Sequence, residues 1–153
     1  MGTMIQGYNL SESDFWTDSI RESMPSVKRS SLQMQGNNDV LNLSRPDVIL
    51  DIHRKYLRAG ADLIETNTFS AQRISQADYH LENEARTIAL EGARLARQAV
   101  EEFSSVDKPR FVLGSVGPTN KTCSMSPDVS NPAKRDLTYD MLYDAYFEQM
   151  DAL

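Results

Sequence analysis

The sequence predicts an α/β fold built around a parallel sheet. Two short apolar runs, 61–69 and 110–116, are bounded by turn residues, which is typical of buried strands. They alternate with three stretches of helical periodicity, and such alternation implies parallel strands joined by right-handed crossovers. The pattern leaves open both a doubly wound sheet and a (β/α)8 barrel. A whole barrel has eight strands in about 250 residues, so a chain with two recognisable strands would hold under half of one.

Composition excludes several classes of function. The net charge is −6, and no stripe of Lys and Arg is available to neutralise nucleic-acid phosphates. No apolar run approaches the roughly 18 residues that a membrane span needs, and the N-terminus lacks the features of a signal peptide. Cys123 is the single cysteine, which excludes a disulfide framework and favours a reducing compartment. We therefore expect a soluble, cytoplasmic protein with no nucleic-acid or membrane partner.

The first 43 residues show little regular period. Ser11 is expected to cap a short helix, with Asp14 completing a capping box. The polar stretch 19–31 contains Pro25 and is predicted to be a loop. Residues 36–39 are all turn-forming residue types and are predicted to form a turn.

The first strongly predicted helix begins with Ser44 as its cap and Pro46 in its first turn. Apolar residues then recur at helical spacing until Gly60, which is expected to be the left-handed residue after the helix. His53 lies at the edge of the apolar face. A half-buried packing histidine is favoured there over a catalytic one.

The strand that follows ends in the polar cluster Glu65-Thr66-Asn67-Thr68. Chemistry in α/β proteins gathers at the carboxyl ends of such strands. Barrel interiors favour branched side chains, so we expect Ile64, Thr66 and Thr68 to point inward and Glu65 to face the helices, with an arginine partner. The alternative, that the cluster forms only a strand end and a turn, stays open.

A second helix is predicted over 81–103, with small residues on its packing face and charged residues on a solvated face. The second strand leads into an irregular segment of about twenty residues, longer than an ordinary βα loop and therefore a candidate functional loop. Thr138 is expected to cap a third helix. Apolar residues still recur at helical spacing up to Leu153, which predicts that the sequence ends within this helix.

Several motifs carry a family resemblance. They are Gly2–Gln6, Gly36–Asp39, Arg45–Ile49, Ala59–Phe69, Ala77–Tyr79 and Gly117–Thr122. In this order they closely resemble the homocysteine-binding domains of the homocysteine S-methyltransferase family, in particular that of cobalamin-dependent methionine synthase. The stretches 36–39 and 126–129 resemble that enzyme more than its betaine-using relative.

The resemblance implies a partial (β/α)8 TIM barrel. Residues 1–153 would be roughly its first three βα units with the first strand missing, so the domain would be incomplete at both ends. The implied reaction moves a methyl group from methylcobalamin, and ultimately from 5-methyltetrahydrofolate, to homocysteine held by zinc, giving methionine. The implied substrate-binding residues are Thr66 as a direct contact, Asn67, Thr68 and Asn120 as supporting polar groups, and Gly2 and Thr3 in the turn after the first strand.

Departures from the family pattern limit what this chain is expected to do. The family's Asp-Gly-Gly motif precedes the start of this chain, and its zinc-binding cysteines follow Leu153. Cys123 does not fall at a ligand position, and one thiol cannot build a tetrahedral site. We therefore predict no catalytic residue, no metal ligand and no bound zinc or cobalamin on this chain, and no turnover by it alone. Its expected partners are homocysteine, the remaining barrel half, and the folate and cobalamin domains of the parent protein.

Two other functions remain open at this point. A non-catalytic binding module would associate with itself through exposed sheet edges. An unrelated aldolase-type barrel would need a Schiff-base lysine at a strand end, whereas Lys121 lies in a loop.

Overall fold

The computed structural model describes residues 1–153 as a mostly helical α/β structure around a small parallel sheet. The α-helices are Gly2–Gln6 (α1), Asp18–Ser23 (α2), Ser26–Ser31 (α3), Leu41–Ser44 (α4), Pro46–Arg58 (α5), Arg73–Gln76 (α6), Ala85–Phe103 (α7) and Tyr139–Ala152 (α8). The strands are Leu63–Glu65 (β1) and Phe111–Leu113 (β2), and 3₁₀ turns cover Glu12–Phe15, Asn38–Val40 and Ala77–Tyr79. The predicted alternation of helices and strands is confirmed.

The two strands pair in parallel, with Ile64 opposite Val112. Ile64 packs against small and apolar side chains of α5 and α7, including Leu57, Ala96 and Ala99. The prediction that Ile64 faces away from the helices is therefore wrong, because the smooth alanine surface of α7 lies against that side of the strand. Glu65 points to the opposite face, is exposed, and forms no ion pair with an arginine.

The other face of the sheet is apolar and uncovered. Leu63 and Phe111 lie opposite each other and are 52% and 55% exposed, and Leu113 beside them is 45% exposed. Parallel sheets in proteins are almost always covered on both faces. In this protein, the helices cover only one face of the sheet.

The N-terminal segment is more regular than its sequence pattern suggested. The predicted loop 19–31 contains α2 and α3, because Pro25 separates two short helices instead of preventing them. Residues 2 and 3 lie in the first turn of α1 and not in an open turn. The predicted capping box at Ser11 is confirmed, since its N–H donates to the Asp14 carboxylate at 2.8 Å.

Helix boundaries differ from the predictions at two starts. Ser44 ends α4, and Arg45 occupies the cap of α5, where its guanidinium bonds both Asp14 and Asp47. Helix α7 begins at Ala85 because the chain from Leu81 to Glu84 still turns into the helix. Gly60 has φ of 106°, which confirms its predicted left-handed conformation.

The last helix begins as predicted. The Thr138 hydroxyl accepts the Met141 N–H at 3.2 Å, and the chain from 114 to 137 before it contains no helix or strand. None of the helices combines the length and apolar character needed to cross a bilayer.

Candidate functional site

A cavity of about 510 Å³ opens at the carboxyl end of β1. Its walls come from the N-terminal residues, the turn 36–39, the end of β1 and the segment after β2. It collects five of the six predicted site residues, namely Gly2, Thr66, Asn67, Thr68 and Asn120. Thr3 is exposed on α1 and does not line the cavity.

A larger groove, about 820 Å³, runs beside the free edge of β2. Its walls come mainly from α7 and β2, and of the predicted site residues it touches Thr66 alone. The predicted site residues therefore belong to the smaller cavity.

Thr66 and Thr68 join β1 to the chain that follows β2. The Thr68 hydroxyl donates to the Ser115 carbonyl at 2.8 Å, and the Ser115 N–H donates to the Thr66 hydroxyl at 2.9 Å. The two hydroxyl oxygens lie 2.6 Å apart. Since a hydroxyl has one proton and that of Thr68 is committed, Thr66 is the donor between them. Both hydroxyl protons therefore act within the protein and fix the shape of the strand end.

Asn67 is held by a second buried amide. Asn42 donates to the Asn67 carbonyl at 2.8 Å and to the Ile88 carbonyl at 3.0 Å, while Asn67 donates to the Asn38 carbonyl at 2.8 Å. Both asparagine side chains are nearly inaccessible to solvent. Since these bonds reach the turn 36–39 and α7, they fix the position of Asn67 relative to both of these cavity-forming parts of the chain.

The turn 36–39 is fastened to α6 and to the end of β1. The Asn37 and Gln76 amides pair reciprocally at 2.8 and 3.2 Å, and Gln76 also donates to the Ser70 carbonyl at 3.0 Å. Asp39 accepts the Ser70 N–H at 2.6 Å. The turn is thus a rigid wall of the cavity.

Helix α8 reaches the same place through one side chain. The Gln149 amide, 1% exposed, donates to the Thr68 carbonyl at 2.6 Å. Its Oε1 is buried without a hydrogen-bond partner. Gln149 thereby ties the third helix to the strand end.

The cavity is acidic. Asp39, Glu65 and Asp78 line it together with Met1, the residue that carries the positive N-terminus, and no lysine or arginine does. Burial raises the pKa of Asp39 to about 7, although the Ser70 amide opposes the shift. Asp78 accepts a hydrogen bond from Asn120, whereas Glu65 is exposed and unpaired. An acidic, polar cavity favours a ligand with a cationic group.

His53 lies outside the cavity lining and is 1% exposed, so it is more deeply buried than the predicted half-buried packing histidine. Desolvation, and then the positive charge of the N-terminus, lower its pKa to about 4. The ring is therefore neutral at pH 7, and its Nε2 has no partner. These features agree with a packing role.

The chain's own donors do not fit the zinc site that the resemblance implies. A tetrahedral zinc site takes four Cys, His or carboxylate donors. No three such side chains lie close enough together to hold a metal ion, and Cys123 is a free thiol in the segment after β2. We therefore derive no chemical step through zinc.

Sequence reasoning missed most of the supporting residues. The sequence does indicate that Asn42 is buried, because it is a lone amide within the apolar run 40–43. Gln149 likewise lies at an apolar position of the α8 period. Asn37, Asp39 and Gln76 had no such signal, since polar residues in turns are ordinarily solvated.

A parallel α/β unit with a polar cavity at the carboxyl ends of its strands is the arrangement of α/β enzymes. The chain belongs to the homocysteine S-methyltransferase family, whose sequence profile matches residues 1–153. This is a family of methyltransferases, and membership indicates homocysteine as the methyl acceptor.

Proposed function

We propose that this chain supplies part of the homocysteine pocket of a methionine synthase, as the N-terminal part of a (β/α)8 barrel. The observation that carries the proposal is the cavity at the carboxyl end of β1, which gathers Gly2, Thr66, Asn67, Thr68 and Asn120. In barrel enzymes the active site lies at this end of the strands. Family membership supports homocysteine as the ligand.

The uncovered sheet face supports the barrel. Leu63, Phe111 and Leu113 form an apolar surface on the side away from α5 and α7. In a closed barrel that side is the interior, filled by side chains of the other strands. The same arrangement would place Glu65 inside the barrel, at the level of the cavity.

The geometry assigns different roles to the side chains of the pocket. Homocysteine has an ammonium, a carboxylate and a thiol. The carboxylate of Glu65, which is exposed at the cavity, suits the ammonium, whereas Asp39 is buried and its pKa of about 7 leaves it partly protonated at neutral pH. The hydroxyls of Thr66 and Thr68 and the Asn67 amide act as positioning groups, because their protons are committed to the protein. This chain binds and orients the amino acid.

We further propose that the parent enzyme takes up zinc and cobalamin through residues and domains outside 1–153, and that this chain alone does not turn over. The support is the donor set, which has a single thiol and so lacks the thiolates that would hold zinc, the ion that keeps a bound thiol deprotonated near neutral pH. A zinc titration followed by calorimetry tests this. One tight site that releases thiol protons would contradict it.

Titration of the ¹⁵N-labelled chain with L-homocysteine tests the pocket. We expect amide shifts at 65–70 and 36–39. Glu65→Gln should weaken binding several-fold, because one charged partner of the ammonium is lost, whereas Asp107→Asn removes an equal charge from an exposed loop and should not. Shifts scattered over the surface, or none, would favour the non-catalytic module instead.

A further inference from the structure

Asp39 is the one carboxyl of the cavity that is buried. It is 5% exposed, whereas Glu65 and Asp78, the other two carboxyls of the cavity lining, are exposed. The Asp39 Oδ2 accepts the Ser70 N–H at 2.6 Å. Its Oδ1 has no hydrogen-bond partner in the chain and is not fully enclosed. One oxygen of this buried carboxyl is therefore free to bond a ligand in the cavity.

Burial also decides the form in which Asp39 meets a ligand. Desolvation penalises the charged form and raises the pKa of Asp39 to about 7, although the Ser70 N–H acts in the opposite direction. In the neutral form, Oδ2 stays an acceptor toward Ser70, so the proton belongs on Oδ1. The group then offers the cavity an O–H donor. Enzyme sites use carboxyls that are kept neutral in this way as hydrogen-bond donors.

The other titratable groups of the cavity do not oppose the neutral form, with one exception. Glu65 ends β1, Asp78 and Tyr79 lie in the 3₁₀ turn 77–79, and Met1 carries the amino group before α1. Desolvation, and then the charges of Asp78 and Asp39, raise the pKa of Tyr79, so its phenol stays neutral near pH 7. Helices α4, α6 and α7 add no titratable side chain to the lining. Apart from the N-terminus, every charge around Asp39 is thus negative.

An amino-acid ligand needs such a donor. Its ammonium suits Glu65, but its carboxylate enters a cavity without lysine or arginine. The hydroxyl protons of Thr66 and Thr68 are committed within the protein. An ionised Asp39 would repel the carboxylate. The neutral acid would donate a charge-assisted hydrogen bond to it, and bonds of this kind are about twice as strong as neutral ones.

We propose that neutral Asp39 donates a hydrogen bond from Oδ1 to the carboxylate of the amino-acid substrate, while Glu65 takes the ammonium. This inference rests on the function proposed above and names the side chain that selects an amino acid over the corresponding amine. A site built to hydrogen-bond a polar group rejects an analogue that lacks it. Because an ionised Asp39 must first gain a proton, substrate binding is linked to proton uptake.

Calorimetric titration of the chain with two ligands between pH 6 and pH 8 tests the proposal. One is L-homocysteine, and the other is aminopropanethiol, which keeps the thiol and the ammonium but lacks the carboxylate. We expect the affinity for homocysteine to fall about tenfold over this range, because the neutral fraction of Asp39 falls by that factor around a pKa of about 7. The amine should bind more weakly at pH 6 and vary less. Buffers of different ionisation enthalpy should show uptake of about half a proton when homocysteine binds at pH 7.

Asp39→Asn separates the neutral acid from the ionised carboxylate. Its amide keeps an acceptor for the Ser70 N–H and offers the ligand a donor at every pH. We expect this variant to match the wild type at pH 6, to bind homocysteine about tenfold more tightly than the wild type at pH 8, and to lose the proton uptake. Asp39→Ala should weaken homocysteine binding at pH 6 and leave binding of the amine unchanged, which also shows that the variant is folded. Asp107→Asn, in an exposed loop, should behave as the wild type.

The outcomes distinguish this inference from the function on which it rests. If homocysteine does not bind, or binds equally well to Glu65→Gln, the proposed function fails and the role of Asp39 fails with it. If homocysteine binds through Glu65 but Asp39→Asn weakens binding at pH 8, Asp39 acts as an anion toward the ammonium, and only the inference is overturned. Proton release on binding, or the same pH dependence for both ligands, would overturn it in the same way.

Discussion

Asn42 and Asn67 hold each other across 25 residues of sequence: Asn42 Nδ2 donates to the Asn67 carbonyl at 2.8 Å, and Asn67 Nδ2 donates to Asn42 Oδ1 at 3.1 Å. This pair fixes the end of β1 against α4. Asn42→Ala would leave the Asn67 and Ile88 carbonyls buried without that donor. We expect a loss of about 2–4 kcal/mol in the free energy of unfolding, measured by urea denaturation. Asn131→Ala, at an exposed loop position, should change it by less than about 0.5 kcal/mol.

Gly92 is where α7 passes closest to the site. A Cβ at this position would lie 2.5 Å from Thr68 Cγ2 and 2.6 Å from Asn42 Nδ2. Alanine is favoured over glycine in a helix by about 1 kcal/mol, so a roomy site would make Gly92→Ala stabilising. We expect instead a destabilisation of about 1–3 kcal/mol. A raised melting temperature would show that the contact is loose.

Asp39 should make stability depend on pH. Its folded pKa of about 7 lies above the ordinary 3.8, so between these pH values the folded state holds the proton that the unfolded state has lost. Its contribution is thus fully present below pH 4 and is lost as the pH rises through 7. Asp39→Asn keeps an acceptor for the Ser70 N–H without the charge. Relative to wild type it should gain stability from pH 4 to 8, by at most about 4 kcal/mol. A pH-independent difference would contradict this.

His53 should act in the opposite direction. Its folded pKa of about 4 lies below the ordinary 6.5, so its contribution is present above pH 6.5 and is lost as the pH falls through 4. His53→Leu removes the titrating group from the same buried position. In the variant, the acid-induced loss of stability between pH 6.5 and 4 should be smaller, as measured by denaturant titration at each pH. NMR titration of the wild-type ring should give a midpoint well below 6.5.

The open sheet face should drive self-association. Leu63 and Leu113 are 52% and 45% exposed on it. Because a lysine on an uncovered sheet opposes edge and face pairing, Leu63→Lys with Leu113→Lys should reduce the average mass seen by light scattering at high concentration. Val106→Lys, at a fully exposed loop position, should not. A wild-type chain that stays monomeric throughout would contradict the prediction.

The hydrophobic pattern along the chain was sufficient to predict the long helices, in which apolar residues recur at regular helical spacing. Helix α5 ends just before Gly60, and α8 starts just after its cap Thr138, as the sequence predicts. It failed for the short helices α2 and α3, whose six residues each give too few turns for a period to show. It also failed for the orientation of Ile64, because alternation along a strand defines two faces without saying which one the helices cover.

For the candidate site, the sequence by itself determined the polar cluster at the end of β1 and the family to which the chain belongs. It did so because residue types at a strand end and their order along the chain are local properties. Only the tertiary structure decided that Asp39, Gln76 and Gln149 reach the same place, and that the hydroxyls of Thr66 and Thr68 are committed to Ser115. These are contacts between residues up to 81 positions apart. Their energies depend on burial and geometry, which arise only when the helices have packed on the sheet.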